Sequence, residues 1–256
     1  MFRLRFALDP RWFQVLFQLF FLSYGIFFLD WTANWWHYAA CIGGCVAFNY
    51  MGECIRQRQW VSFRTSPGWM GWGCSALISA LSLCLLLKTN HWYTSLLAAF
   101  LTIGSKYLFR FNHKHIFNPS AFGIAAILLT GQAWLSPGQW GNNTVLFFLI
   151  ITLGTIVVTR VQKLDTSLAF LVVFTGLLYW RQVYVLGWPA DYFAHSLTNG
   201  GLLLFSFFMI SDPKTSPNHP VARILWAGAI AATAFYLAAF KWMYNTPIVV
   251  LVMTAP

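Results

Sequence analysis

The chain has 256 residues, of which 59% are hydrophobic, 19% aromatic and only 9% charged, with 16 Lys and Arg against 6 Asp and Glu for a net charge of +10. Soluble domains carry roughly 25% charged residues, so this composition excludes a soluble enzyme and points to a membrane protein. The basic excess is spread over the junctions between apolar runs, where it suits an anionic lipid leaflet, rather than gathered on one face as a nucleic-acid partner would require.

A transmembrane helix needs about 20 apolar residues to cross ~30 Å of hydrocarbon, and only a helix or a closed barrel satisfies its own backbone there. Nine spans are expected, at 12–31, 35–53, 69–87, 93–109, 119–135, 143–159, 166–184, 193–210 and 221–240. Residues 247–256 reach only about 15 Å as a helix and form either a partial span or the start of a tenth. Runs such as 146–158 are apolar on every side rather than alternating, which rules against a barrel. The expected fold is an all-α polytopic membrane bundle of nine to ten helices, a single integral membrane domain over 1–256. The first span lacks a small-residue cleavage pattern and is expected to remain as an anchor.

The basic residues alternate strictly between junctions. With the amino terminus in the cytoplasm, that side holds Arg3, Arg5, Arg11, Arg56, Arg58, Arg64, Lys106, Arg110, Lys114, Arg160, Lys163, Lys214 and Arg223. Only Lys88, Arg181 and Lys241 lie outside. The positive-inside rule then fixes the number and direction of crossings.

The five cysteines fall within or at the ends of spans two and three. Cys41 and Cys45 share a helix face, which suits half a metal-cluster site or, equally, the packing of small apolar residues. His37 and His195 open inward-running spans, and a haem would need both at one depth. No metal site is expected from these residues. An ionisable group at the edge of hydrocarbon is the better clue, and Glu53 and Asp212 close the second and eighth spans as candidates for an ion or proton site. The segments around them run in parallel: His37, Gly43, Gly44, Phe48, Glu53 and Arg64-Thr-Ser-Pro67 against His195, Gly200, Gly201, Phe205, Asp212 and Lys214-Thr-Ser-Pro217. Two related halves or coincidence explains the parallel.

Two stretches go beyond composition. In 104–123, Asn118-Pro119 starts a helix whose positive end, beside Lys106 and Lys114, would attract an anion such as a flavin phosphate, while an ordinary capped helix is the plainer reading. In 195–215, a glycine pair permits close helix packing and Asp212-Pro213 ends the span with a carboxylate at the surface, either a cation site or a boundary.

Together these stretches resemble a family of homologous membrane subunits found in the sodium-pumping NADH:quinone oxidoreductase and in the Rnf electron-transport complex. The first motif matches at Gly104, Lys106, Phe109, Lys114, Phe117, Asn118, Pro119 and Ser120; the second at His195, Gly200, Gly201, Phe207, Phe208, Met209, Asp212, Pro213 and Thr215. The resemblance covers roughly 66–256. It implies a ten-helix bundle of related halves in a bacterial cytoplasmic (inner) membrane, flavin bound at or near the membrane, other membrane or peripheral redox subunits as partners, and electron passage toward quinone or ferredoxin-linked partners coupled to ion movement. Lys106, Lys114, Asn118, Ser120, His195 and Thr215 become candidate cofactor-binding residues.

The chain also departs from the pattern. Family members with covalent FMN carry it on a Thr in a Ser-Gly-Ala-Thr sequence preceded by an acidic residue, in the outer loop after the Asn-Pro helix. Here residues 134–144 hold neither, so Thr144 does not inherit the role and covalent FMN is not expected. The leading expectation is a shortened, stand-alone membrane electron-transport subunit resembling the Rnf member of the family, a component of a membrane oxidoreductase complex, with FMN or riboflavin held non-covalently or quinone bound among its aromatics. A small-molecule or ion transporter or channel and a non-catalytic membrane scaffold are the alternatives.

Overall fold

A computed structural model describes residues 10–31, 34–60, 68–111, 114–135, 144–197, 200–243 and 245–255. The chain is mostly helical: α1 (Pro10–Phe28), α2 (Trp35–Gln57), α3 (Gly68–Leu86), α4 (Trp92–Leu108), α5 (Pro119–Leu128), α6 (Thr144–Arg160), α7 (Leu164–Tyr179), α8 (Ala190–Leu197), α9 (Gly200–Leu204), α10 (Pro220–Lys241) and α11 (Thr246–Met253). Helix α7 runs on as a π-helical turn, Trp180–Val185, and α9 as a second, Phe205–Met209. Four short strands complete the chain: β1 (Leu87–Thr89), β2 (Arg110–Phe111), β3 (Lys114–His115) and β4 (Ala133–Leu135). They form two antiparallel pairs, β1 with β4 and β2 with β3.

Among the described residues three helices are long and apolar enough to cross a membrane, Arg11–Phe28, Leu164–Val185 and Pro220–Lys241; Trp72–Leu86, Pro119–Leu128 and Phe148–Arg160 are apolar but shorter. The nine expected spans are therefore met only in part. Two depart for visible reasons. The expected 119–135 span is a ten-residue helix: Thr130 and Gly131 donate back to the Ile127 and Leu128 carbonyls, Gly131 takes φ +68°, and the chain straightens into β4. There Leu135, Trp134 and Ala133 pair with Leu87, Lys88 and Thr89. The expected 193–210 span is built from α8 and from α9 with its π-helical turn, with 198–199 outside the described residues. Residues 64–67 and most of the 134–144 loop also lie outside them. The parallel segments drawn for two halves are built differently as well, since 35–57 is one continuous α-helix with His37 buried, whereas His195 is exposed on α8.

The core is apolar, with Phe21, Leu83, Ile103, Ile124 and Phe205 buried, and it encloses polar groups as well. Gln18, Asn49, Ser79, Ser82, Lys106 and Asn118 are buried, while Leu16, Phe148, Val172 and Leu225 are exposed in mid-helix. Helices α1 to α5 pack as one group, α7 packs on α10, and α11 joins α10 to α5. One end collects basic residues: Lys114 Nζ donates to Asn218 Oδ1 at 2.6 Å, Lys163 Nζ to the Pro217 carbonyl at 3.1 Å, and Arg223 pairs with Asp165. At the opposite end, the β1–β4 ladder is continued by Asn90 N–H bonding the Gln132 carbonyl at 3.2 Å.

Candidate functional site

Helix α5 begins where the sequence suggests. Pro119 stands in the first turn, Asn118 Oδ1 accepts Ala121 N–H at 3.2 Å and the Ser120 hydroxyl at 2.8 Å, and Asn118 Nδ2 donates to the Met209 carbonyl at 3.2 Å. A single asparagine thus caps one motif and ties it to the end of the other. The π-helical turn makes that tie useful, because its wider i to i+5 bonding, seen in Ile210 N–H to the Phe205 carbonyl at 3.0 Å, changes how its carbonyls are partnered. Ser167 on α7 bonds the Ser206 carbonyl at 2.6 Å as Asn118 bonds that of Met209.

Around this junction lies a cavity of about 130 Å³. His115, Asn118 and Ser120 of the first motif face Phe207, Phe208, Asp212 and Lys214 of the second across it. Arg11 and Gln14 of α1 and three serines of α3, Ser75, Ser79 and Ser82, supply the remaining polar wall. The serines are four and three residues apart and so share one helix face. Ser82 Oγ accepts Gln18 Nε2 at 2.9 Å, and Gln18 Oε1, buried, has no partner among the described residues. A polar seam therefore leads from the basic end into the bundle between α1 and α3.

Lys106 reaches the cavity indirectly. Its buried ammonium donates to Asn49 Oδ1 at 2.6 Å and Ser75 Oγ at 3.1 Å. The Tyr107 hydroxyl lies 3.1 Å from Asn49 Oδ1 and 3.1 Å from Glu53 Oε1, and Arg56 clamps the other Glu53 oxygen at 2.6 Å. Glu53 and Ser75 are thus the two ends of one buried polar chain that runs through Lys106, and Ser75 lines the cavity. Among the described residues no carboxylate touches the ammonium, an expensive arrangement to hold in a packed interior.

The junction groups carry shifted protonation. Burial, reinforced by the charges of Lys214, Lys106 and Arg110, pulls His115 down to about 4. The ring is neutral, and Nδ1–H donates to the Lys106 carbonyl at 3.0 Å. Burial pushes the Asp212 carboxyl up, against the backbone N–H of Lys214, which it accepts at 3.0 Å, and the Lys214 charge.

Of the sequence candidates, the structure brings Asn118, Ser120 and Asp212 into the cavity, sets Thr215 buried three residues beyond Asp212, and joins Lys106 and Glu53 to it through Ser75. Lys114 is exposed on Asn218. His195 is not part of the constellation: it precedes the ten helical residues of Gly200–Met209, about 15 Å of rise. Ser75, Ser79, Ser82, Gln14, Gln18, Asn49 and His115 are not among the sequence candidates, although the 75/79/82 spacing and a lone Asn in an apolar run are signals a sequence carries. Among the described residues no group of three or more His, Cys, Asp or Glu could hold a metal ion.

A second cavity, about 190 Å³, lies beyond the same π-helical turn. Leu86, Leu135, Phe174, Leu202, Phe205 and Ile248 make it largely apolar, with Ser196 and Asn245 as its polar edge. Phe205 faces this cavity and Phe207 and Phe208 the other. Compared with models of known protein families and with curated proteins, the chain matches none.

Proposed function

We propose that the chain is a polytopic membrane protein acting as an electron-transport subunit of the kind its motifs resemble, and that the basic-end cavity receives the phosphate of a non-covalently bound flavin. The convergence of two motifs some 90 residues apart on one polar cavity carries this reading. Arg11 and Lys214 supply positive charge and the α5 start adds its dipole. The volume of about 130 Å³ suits a phosphate and its first carbons. It is well below the roughly 300 Å³ at which pockets enclose larger ligands, so the ring system would lie at the mouth. The Phe109, Phe117 and Phe122 rings cluster at 5.2–5.4 Å around the start of α5 and could stack on it there. Flavin, when bound, would supply the electron transfer that side chains lack.

The membrane part of the proposal rests on the long apolar helices, with their exposed apolar side chains, and on the helix ends. Exposed Trp35, Trp36, Trp92, Trp134, Trp180 and Trp242 stand at helix ends assigned to the outer face, opposite the basic end, as an interfacial belt would. In this reading the amino terminus is cytoplasmic, α1 to α4, α6, α7 and α10 cross, α5 with β4 and α8 with α9 complete two further crossings, and α11 is a partial span. A cysteine placed near Asn218 should resist an impermeant thiol reagent on intact cells, and one near Gln139, outside the described residues, should react. The reverse labelling would overturn the orientation.

The optical spectrum of the purified protein tests the function. Flavin absorbance near equal stoichiometry, released on denaturation and leaving a non-fluorescent gel band, is expected. A folded, colourless protein would overturn the electron-transport reading in favour of a small-solute carrier. The seam from Ser75 to Gln18, and two cavities on opposite sides of Phe205–Met209, favour that second reading specifically.

A further inference from the structure

Arg11 and Lys214 line the basic-end cavity; three further cations, from three different elements, meet on two adjacent residues of the loop that leads into α10. Lys114 of β3 donates from Nζ to Asn218 Oδ1 at 2.6 Å, Lys163, just before α7, to the Pro217 carbonyl at 3.1 Å, and Arg223 of α10 to the Asn218 carbonyl at 3.3 Å. Among the described residues Asp165, which accepts Arg223 Nε at 3.0 Å, is the one carboxylate bonded to any of them. Lys163 is buried, and of the three donors on its ammonium the Pro217 carbonyl takes one. Burial, with Arg223 and Lys114 near it, pulls that ammonium below its ordinary value.

Holding a loop explains each bond singly. It does not explain three cations on one dipeptide, because neutral donors would hold the same oxygens without repelling one another. The places are also wrong for positive charge. Lys163 is the N-cap of α7 and Arg223 lies near the start of α10, where the helix dipole disfavours a cation, and the Arg223–Asp165 pair sets those two positive helix ends side by side. An anion would answer cations and helix ends together. Next to the cluster the surface turns apolar: Leu168 and Val172 are one turn apart on α7, as are Val221, Ile224 and Leu225 on α10, and all five are exposed. These two helices pack on each other, and both are long and apolar enough to cross a membrane.

We propose that Lys114, Lys163 and Arg223 form a site for the phosphodiester headgroup of an anionic phospholipid, whose acyl chains lie on the exposed faces of α7 and α10. The phosphate oxygens accept from the ammonium donors that the loop leaves over, as charge-assisted hydrogen bonds. A basic pocket where membrane helices begin on the cytoplasmic side is where such headgroups are held. The apolar faces beside the cations favour a lipid over free phosphate or an acidic peptide, neither of which would cover them. This site presupposes the membrane reading above and is independent of what the basic-end cavity binds.

The test uses the full chain in a neutral detergent, incubated with phosphatidylglycerol or phosphatidylcholine and measured by native mass spectrometry. Retention of one phosphatidylglycerol, about tenfold or more over phosphatidylcholine, is expected. Lys114→Gln with Lys163→Gln should lower that retention about tenfold, and Lys114→Gln alone, at an exposed side chain, about threefold with the melting temperature unchanged. Arg160→Gln, at the end of α6 and outside the cluster, should leave it as it is. Equal retention of the two lipids, or retention undiminished in both lysine variants, would overturn the proposal. So would displacement of the lipid by millimolar inorganic phosphate or by a polyglutamate peptide, which would mark the site of a soluble anion or of a protein partner. A chain that stays monodisperse in water without detergent would overturn the membrane reading itself.

Discussion

At the basic end, about 130 Å³ is bounded by serines, glutamine, asparagine, histidine and charged groups; beyond the π-helical turn, about 190 Å³ is bounded by Leu, Ile and Phe with two polar side chains at the edge. Two residues of backbone, from Phe205 to Phe207, separate these surroundings. The larger space is the less informative one. An apolar cavity can be left over where helices diverge, whereas each buried hydroxyl or amide around the smaller one must find a partner or cost free energy. Ser79, Ser82, His115, Asn118, Ser120 and Ser211 have each found one, while Gln18 Oε1 has none among the described residues.

The largest effect is expected where the shared wall is pressed from behind. A Cβ at Gly154 would lie 2.6 Å from Phe207 Cγ and 3.1 Å from its Cβ, so Gly154→Ala should displace the ring and destabilise the fold by about 3 kcal/mol, the upper part of the overpacking range. Gly176, with nothing near, is the control, and equal melting temperatures for the two alanine variants would break the picture of a tight wall. Asn118→Ala removes the α5 cap and the bond to the Met209 carbonyl and should cost about 2 kcal/mol in denaturant unfolding. Acid should act through His115. Its depressed folded value, about 4 against an ordinary 6.5, means the unfolded chain takes up the proton first. The stability held above pH 6.5 is therefore lost as pH falls toward 4, by about 1–2 kcal/mol after allowing for partial solvent contact. His115→Gln should flatten melting temperature over that window; an unchanged slope would show that another group titrates.

Lys106→Met sharpens the contrast differently. Trading a buried cation for an apolar side chain of similar length should leave stability within about 1 kcal/mol, or raise it, while abolishing flavin binding or transport. Loss of stability with activity intact would make Lys106 a structural post. The smallest effect belongs to the apolar cavity, where Asn245, at φ +62° and without a capping bond, should tolerate Asn245→Gly with a change within about 0.5 kcal/mol.

Asn118-Pro119 announces the α5 start in two letters, because cap chemistry is local and residue-specific. The Asp212-Pro213 end of the second motif is equally plain. The end of α5 is not: Thr130-Gly131-Gln132 lies within a stretch whose average remains apolar, and the short helix is explained only by β4 finding β1, 44 residues earlier at the Ala133–Thr89 pair. Ser75, Ser79 and Ser82 escape notice for a related reason, since serine in an apolar run reads as helix packing until a cavity is seen against it. Neither π-helical turn has a local signature; the second meets Ser167 of α7 and Asn118 at its carbonyls. His195, a candidate in the sequence, lies on α8 and does not line the basic-end cavity.

The β1–β4 ladder also bears on the order of assembly. It joins the end of α3 to the segment after α5, so every residue it needs has left the ribosome before any of α6 to α11 has emerged. Helices α2 to α5 can then be closed at that end by backbone bonds while the basic-end cavity still lacks Phe207, Asp212 and Lys214. The half of the molecule that holds the serine seam is in this sense a mould, and the π-helical turn is cast against it last.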